Sequence, residues 1–80
     1  MDVIPLTRMN PGERGTIYQL NVDAPALRHR LLEIGLVTGT TVRVVRFAPL
    51  GDPIELDVRG CRLSMRRQEA QNILIRKLPQ

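Results

Sequence analysis

Hydrophobic and polar residues alternate most regularly in the second half of the chain. Segments 54–58 and 61–65 each place an apolar residue at every second position, which is the period of a half-buried β-strand. If the two residues between them form a tight turn, all apolar pairs share one face and Asp57 lies opposite Arg62 on the other. A shift of one residue would destroy this match. The pattern therefore predicts a β-hairpin in which Cys61 faces the core as a small hydrophobic residue.

A helix is predicted near residues 24–34. Asp23 is a good N-cap residue, and Pro25 falls in the first turn, where its missing N–H costs nothing. Gly35 follows as a residue able to adopt a positive φ, and Leu36 can then close the helix by packing back on its last turn. The residues with the spacing of one buried helix face are Leu27, Leu31 and Ile34.

The remaining segments complete a mostly β pattern. Three further strands are predicted at 16–20, 41–47 and 73–78, with a short helix near 66–72. The predicted order is strand, helix, strand, hairpin, short helix, strand. About five short, closely spaced strands with few helical residues are typical of a small, partly open antiparallel barrel.

Length and composition limit the class of protein. A chain of 80 residues with 42% hydrophobic residues has room for one core, so we expect a single domain over residues 1–80. Its one cysteine cannot form an internal disulfide, and neither a signal peptide nor a long apolar run is recognisable. These features favour the cytosol.

The net charge is +4, with 12 basic and 8 acidic residues. A basic surface suits an anionic partner, and one hypothesis is therefore a small basic barrel that binds nucleic acid. The chain has only one tyrosine and one phenylalanine, whereas single-strand binders stack bases on exposed aromatic rings. The alternative is an arginine-rich surface that is merely solvated.

Residues suited to catalysis are sparse. There is one histidine, and no glycine-rich phosphate-binding loop is present, so we do not expect an enzyme. His29 and Glu33 are four residues apart on the predicted outer face of the helix and could supply two of the four ligands of Zn²⁺. A second molecule, as in a homodimer, would have to supply the others. The alternative is an ordinary surface pair.

The segment APLGDP, residues 48–53, joins two predicted strands and is unusually stiff. Pro49 suits the second position of a turn, Gly51 suits the positive φ of a type II turn, and the second proline restricts the residue before it to an extended conformation. A turn has no need of an apolar residue at its tip, so the turn does not explain the presence of Leu50. That side chain either folds back onto the barrel or is offered to a partner, and the sequence leaves both open.

Three segments together resemble the FeoA family: LLEIGLVTG at 31–39, VRVVRFAPLGDPIELDVRG at 42–60 and LSMRRQEAQNI at 63–73. The resemblance implies an SH3-like β-barrel with an inserted helix. It also implies a cytosolic accessory protein of bacterial ferrous iron uptake that binds or regulates the membrane transporter FeoB, which has a cytosolic GTP-binding domain. A weakly bound Fe or Zn ion at the histidine and glutamate pair is a secondary expectation.

The FeoA-like role would be docking, with the protein at the inner membrane only through its partner. We expect the interface to include the stiff loop and two positions outside it. The candidate partner-binding residues are Pro49, Leu50, Gly51, Asp52, Leu32 and Arg66.

Overall fold

The computed structural model describes residues 3–79. Its elements are β1 (Val3–Pro5), a 3-10 turn (Leu6–Arg8), β2 (Arg14–Leu20), α1 (Pro25–Glu33), β3 (Thr41–Phe47), β4 (Ile54–Val58), β5 (Cys61–Met65), α2 (Arg67–Ala70) and β6 (Ile73–Lys77). The strands form one antiparallel sheet in the order β1-β6-β2-β3-β4-β5. The predicted mostly β class is confirmed, and the short helix is shorter than the predicted 66–72.

The first strand was not predicted. Val3–Pro5 is only three residues long and contains a proline, so the local pattern carries no strand signal. Its conformation comes from pairing with β6, where Ile4 lies opposite Ile75. A proline is compatible with this position because β1 is an edge strand of the sheet.

The predicted β4–β5 hairpin is confirmed in its register. Val58 pairs with Cys61, and the pairing continues to the far end of both strands. Arg59 and Gly60 form the turn, with φ of 56° and 81°. Positive φ at both central residues is the signature of a type I′ turn, whose twist matches that of the strands it joins.

The prediction that Cys61 faces a buried core is wrong, because the residue is exposed. Alternation does place it on the same face of the hairpin as Leu63 and Met65. Burial nevertheless grows along β5, from exposed Cys61 through half-buried Leu63 to Met65, which is 1% exposed. Cys61 is exposed because β5 is an edge strand of the sheet and Cys61 is its first residue, next to the turn and beyond the packed core.

The predicted charge pair on the other face of the hairpin is also wrong in detail. Asp57 does lie opposite Arg62, but its Oδ1 accepts a hydrogen bond from the Gly60 backbone N–H at 3.1 Å. Arg62 Nη1 instead lies 3.9 Å from Glu55 Oε1. A short aspartate side chain next to a turn reaches the turn's own N–H, so the local hydrogen bond replaces the cross-strand ion pair.

Helix α1 begins differently from the prediction. Ala24, not Asp23, is the N-cap, and no side chain caps the helix. The Ala24 carbonyl accepts the first helical hydrogen bond, from the N–H of Arg28 at 3.0 Å. Pro25 is at the first helical position as predicted, and because it has no N–H the first turn has one unpaired donor fewer.

The end of α1 is a Schellman motif, which confirms the predicted role of Gly35. Gly35 has φ of 87°, its N–H donates to Leu32 at 3.1 Å, and the Leu36 N–H donates to Leu31 at 2.9 Å. Leu31 and Leu36 are fully buried. Ile34 was predicted on the buried face, but the helix has already ended at Glu33, and Ile34 is 40% exposed.

The core is aliphatic and continuous, and among residues 3–79 it contains no buried polar or charged residue. It takes side chains from the inner face of the sheet, from α1, from α2 and from the loops. Its buried members are Leu6, Met9, Ile17, Val22, Leu31, Leu36, Val42, Val44, Ile54, Leu56, Val58, Met65, Ala70, Ile73 and Ile75.

Candidate docking loop

The segment Ala48 to Pro53 forms the loop between β3 and β4, and we call it the docking loop. Strand pairing ends at Phe47 and Ile54. Beyond that pair the Ala48 N–H donates to the Pro53 carbonyl at 3.0 Å. This bond closes the base of the loop and leaves a tip of four residues.

A tight turn shapes the tip. The Gly51 N–H donates to the Ala48 carbonyl at 2.7 Å, so Pro49 occupies the second position as predicted. Gly51 has a positive φ, 85°, but it is the fourth residue of this turn and not the third, as a type II turn requires. That part of the prediction is wrong, because the third position belongs to Leu50, which does not have a positive φ. The Asp52–Pro53 peptide bond is cis.

The structure excludes one of the two alternatives for Leu50. The side chain does not fold back onto the barrel: the residue is 97% exposed. The other large hydrophobic residues with exposed surface among residues 3–79 range only from 40% to 46%. A fully solvated leucine at a turn tip has no role in the core, and its burial by a partner would be favourable by about 1.5–3 kcal/mol.

Arg67, at the start of α2, braces the docking loop from outside. Its Nε donates to the Gly51 carbonyl, and its backbone N–H donates to Asp52 Oδ1 at 3.0 Å. The guanidinium stacks over Phe47, with Cζ 4.6 Å from the ring centroid, and Nη1 lies 3.4 Å from the Thr7 carbonyl. The loop is therefore held by contacts to distant segments as well as by its own turn.

Arg67 is a residue that sequence reasoning missed. The sequence shows only that Arg66 and Arg67 are adjacent, and we predicted Arg66 as the contact residue. Arg66 is exposed and is the N-cap of α2. No periodicity marks which of the two side chains turns toward a loop that lies 16 residues away.

Asp52 has a structural partner, which changes its interpretation. Its carboxylate accepts the Arg67 backbone N–H, the first N–H of α2. Arg66, as the N-cap, cannot accept such a bond with its own side chain, because a guanidinium is only a donor. Asp52 therefore supplies a capping acceptor from another part of the chain.

Leu32 lies apart from the docking loop. It is 46% exposed near the end of α1, where Ile34 and Val37 are also partly exposed. The end of α1 approaches the turn at the other end of β4, because a Cβ built on Gly35 would lie 3.1 Å from Arg59 Nη1. The predicted contact residues therefore fall into two regions of the surface.

His29 and Glu33 form the predicted pair on the exposed side of α1. His29 Nδ1 lies 2.8 Å from Glu33 Oε1, and the side chains are 76% and 64% exposed. Within residues 3–79 no group of three or more histidine, cysteine, aspartate or glutamate residues is placed to hold a metal ion. The pair fits a metal only as part of a site that another molecule completes, and metal binding stays a prediction.

The architecture defines a class of protein: small SH3-like barrel domains. The FeoA protein of Stenotrophomonas maltophilia, described as a prokaryotic SH3 domain protein and solved in complex with zinc, superposes with a TM-score of 0.76 at 26% identity, over 88% of this chain and 86% of that one. Neither helix within residues 3–79 has the length and apolar character needed to cross a membrane.

The chain belongs to the FeoA family, because the FeoA domain model matches residues 4–77. The solution structure of the FeoA protein from Chlorobium tepidum has a TM-score of 0.90 and 42% identity, covering 95% of this chain and 71% of that one. A Porphyromonas gingivalis protein, the Fe(2+) transport protein A/Fe(2+) transporter FeoB fusion protein, is 34% identical over 68 residues. The match covers 85% of this chain but only 8% of the fusion protein. The family is associated with ferrous iron transport.

Proposed function

We propose that this chain is a non-enzymatic accessory protein of ferrous iron uptake that docks on the cytosolic region of a FeoB-type transporter through the docking loop. The observation that carries the proposal is the side chain of Leu50, 97% exposed at the tip of a braced turn. Covering this side chain with a partner would be favourable by about 1.5–3 kcal/mol.

The bracing of the loop supports binding. A side chain or loop that is ordered only on binding loses conformational entropy at that moment, which weakens the complex. Here the Ala48–Pro53 and Gly51–Ala48 hydrogen bonds and the contacts of Arg67 hold the loop before any partner arrives. Leu50 is thus presented at a reduced entropic cost.

The identity of the partner rests on the fusion relative. In that protein one polypeptide carries both a FeoA-like part and FeoB. Linkage raises the effective concentration of two modules that act together. A FeoA domain that is not fused to FeoB would have to supply this affinity through its own surface. This role would keep the protein at the cytosolic face of the membrane through its partner.

The direct test measures binding of the wild-type chain and Leu50→Asp to the purified cytosolic region of the transporter by calorimetry. Burial of a charge where a leucine fits should weaken binding by at least about ten-fold. Gln19→Asp is the control, since it adds the same negative charge at an exposed position outside the predicted contacts, and it should bind as the wild type does.

Two results would count against the proposal in different ways. Equal binding by Leu50→Asp and the wild type would remove the docking loop from the interface. No binding by the wild type would remove the partner itself. Leu32→Asp and Arg66→Ala, measured beside them, show whether the interface extends to the other two predicted positions.

A further inference from the structure

Two arginines face each other across the outer surface of the sheet. Arg14 of β2 is the register partner of Arg43 of β3, so their Cα atoms are about 4.5–5.5 Å apart. Both are exposed. Within residues 3–79 neither has a carboxylate within 4.0 Å. Like charges in directly opposed positions of a sheet are destabilising, so the fold gains nothing from this pair.

Further donors surround the pair on the same face. Two residues further along β2, Thr16 lies opposite Thr41 of β3. On the β6 side, Thr16 lies opposite Arg76. In the part of the chain that the structure describes, the two threonine hydroxyls have no protein hydrogen-bond partner. Three arginines and two threonines therefore occupy neighbouring register positions on the same face of the sheet. We call these five residues the arginine face.

The acidic residues on this side of the sheet are engaged elsewhere. Glu55 Oε2 accepts from Arg46 Nε at 3.0 Å, and Glu55 Oε1 lies 3.9 Å from Arg62. Asp57 lies opposite Arg43 on the β4 side, but its Oδ1 accepts the Gly60 N–H, and within residues 3–79 its carboxylate forms no ion pair within 4.0 Å. Glu55 is thus paired with Arg46 and Arg62, whereas Arg43 has a nearby carboxylate without an ion pair and Arg14 has no carboxylate within that distance.

We propose that the arginine face is a binding site for phosphate groups, and that it docks the protein on the headgroups of an anionic lipid surface. Arginine offers paired donors that match phosphate oxygens. Because the site lies on an open sheet face with exposed side chains, a single small anion would remain largely hydrated there. A membrane presents many phosphates at once, and each arginine near an anionic surface adds to the attraction.

The neighbouring aromatic residue fits a membrane better than a nucleic acid. Tyr18 is 44% exposed, and Arg76 lies over its ring, with Cζ 5.3 Å from the centroid. A ring covered by a guanidinium is not a free stacking platform for a base. The chain's other aromatic residue, Phe47, is covered by Arg67. A tyrosine at the edge of a basic surface is instead suited to the headgroup region.

The arginine face is separate from the docking loop. Arg43 is near the start of β3 and the loop follows its end at Phe47, a distance of about 13 Å along the strand. Both surfaces can therefore be occupied at once, and lipid binding does not depend on the proposed transporter.

The experiment is flotation of the full chain with vesicles of phosphatidylcholine alone or mixed with phosphatidylglycerol, at low and at physiological salt. We expect binding only to the anionic vesicles. The double variant Arg14→Ala/Arg43→Ala should bind about 25-fold more weakly, about five-fold for each arginine. The control Arg46→Ala/Arg62→Ala has the same net charge on the same face but removes arginines already paired with Glu55, and it should bind within a few-fold of the wild type.

Several outcomes would overturn the proposal. Equal losses in both double variants would show an effect of net charge alone. Release by inorganic phosphate, but not by potassium chloride of equal ionic strength, would assign the site to a free anion. Tighter binding to a single-stranded oligonucleotide than to the vesicles, with the same sensitivity to Arg14→Ala/Arg43→Ala, would assign it to nucleic acid. A thermal midpoint of Arg14→Ala/Arg43→Ala below that of the wild type would show that the two arginines stabilise the fold. We expect an equal or higher midpoint, because the variant removes two like charges that lie opposite each other.

Discussion

Asp52 and Arg67 are 15 residues apart, and the carboxylate of the first accepts the backbone N–H of the second at 3.0 Å. The side chain of Arg67 in turn donates to the carbonyl of Gly51, beside Asp52. These two contacts tie the junction of β5 and α2 to the docking loop. The position of Leu50 therefore depends on a segment that no local pattern links to it.

Replacement of Arg67 should destabilise the protein and loosen the docking loop. Arg67→Ala removes the stacking on Phe47 and the bond to Gly51, and we expect the free energy of unfolding to fall by about 1–2 kcal/mol. Arg67→Lys should lose most of this stabilisation, since an ammonium lacks the planar guanidinium. Urea unfolding measures the stability, and hydrogen exchange at the Gly51 amide measures the loop.

Arg66→Ala is the matched control for this prediction. Arg66 is the adjacent arginine, has the same charge and is exposed, so its removal should change stability by less than about 0.5 kcal/mol. Equal losses in the two variants would contradict the specific role given to Arg67.

Asp52 should behave as a capping residue. Asp52→Ala leaves the first N–H of α2 without its acceptor, and we expect a loss of about 1 kcal/mol in urea unfolding. Asp52→Asn keeps an acceptor oxygen and should lose less. A stability of Asp52→Ala equal to that of the wild type would show that water replaces the carboxylate without cost.

Gly15 should tolerate no side chain. A Cβ at this position would lie 2.1 Å from Ile75 Cγ2 and 2.9 Å from the Arg76 carbonyl oxygen, so β2 and β6 would have to separate. We expect Gly15→Ala to lose about 1–3 kcal/mol of stability. Gln19→Ala, at an exposed position of the same strand, provides the comparison and should be close to neutral. Equal stability of the two variants would mean that the strands shift without strain.

Glu13 should contribute to the pH dependence of stability. The hydrogen bond from Lys77, with the N–H of Asn10 as a second donor, holds the pKa of Glu13 below its usual value of 4.5. A lowered folded-state pKa means that the stabilisation is present above the unfolded pKa and is lost as the pH falls through the folded one. Lys77→Met should raise the pKa of Glu13 and flatten the stability curve below about pH 4.5. Carbon NMR titration of the carboxyl group measures the first effect, and an unchanged pKa in the variant would refute the assignment.

The metal hypothesis makes its own prediction. Because His29 and Glu33 supply at most two ligands, Zn²⁺ could bind firmly only between two molecules. The hypothesis predicts that Zn²⁺ converts the protein to a dimer in analytical ultracentrifugation and that His29→Ala abolishes the change. Glu13→Gln, at a glutamate far from α1 in the chain, should leave it intact. A monomer at every zinc concentration would dismiss the hypothesis.

Alternation and end signals were sufficient for the parts of the fold whose energetics are local. The register of β4 and β5 follows from a period of two, since any slip would turn the apolar residues outward. The end of α1 follows from Gly35, the residue that accepts a positive φ at least cost. These local features, with the family resemblance, identified the fold and the stiff loop.

Only the tertiary structure decided the properties of a residue that depend on its neighbours in space. Cys61 has the phase of a core residue but lies at an uncovered edge. Leu50 is solvated while Asp52 is hydrogen-bonded to Arg67, although both belong to the docking loop. The opposition of Arg14 and Arg43 arises only when β2 and β3 pair. The burial of a side chain, the support of a loop and the balance of charge all depend on residues that are distant in the chain but close in space. The pattern of residues along the sequence does not show which residues these are.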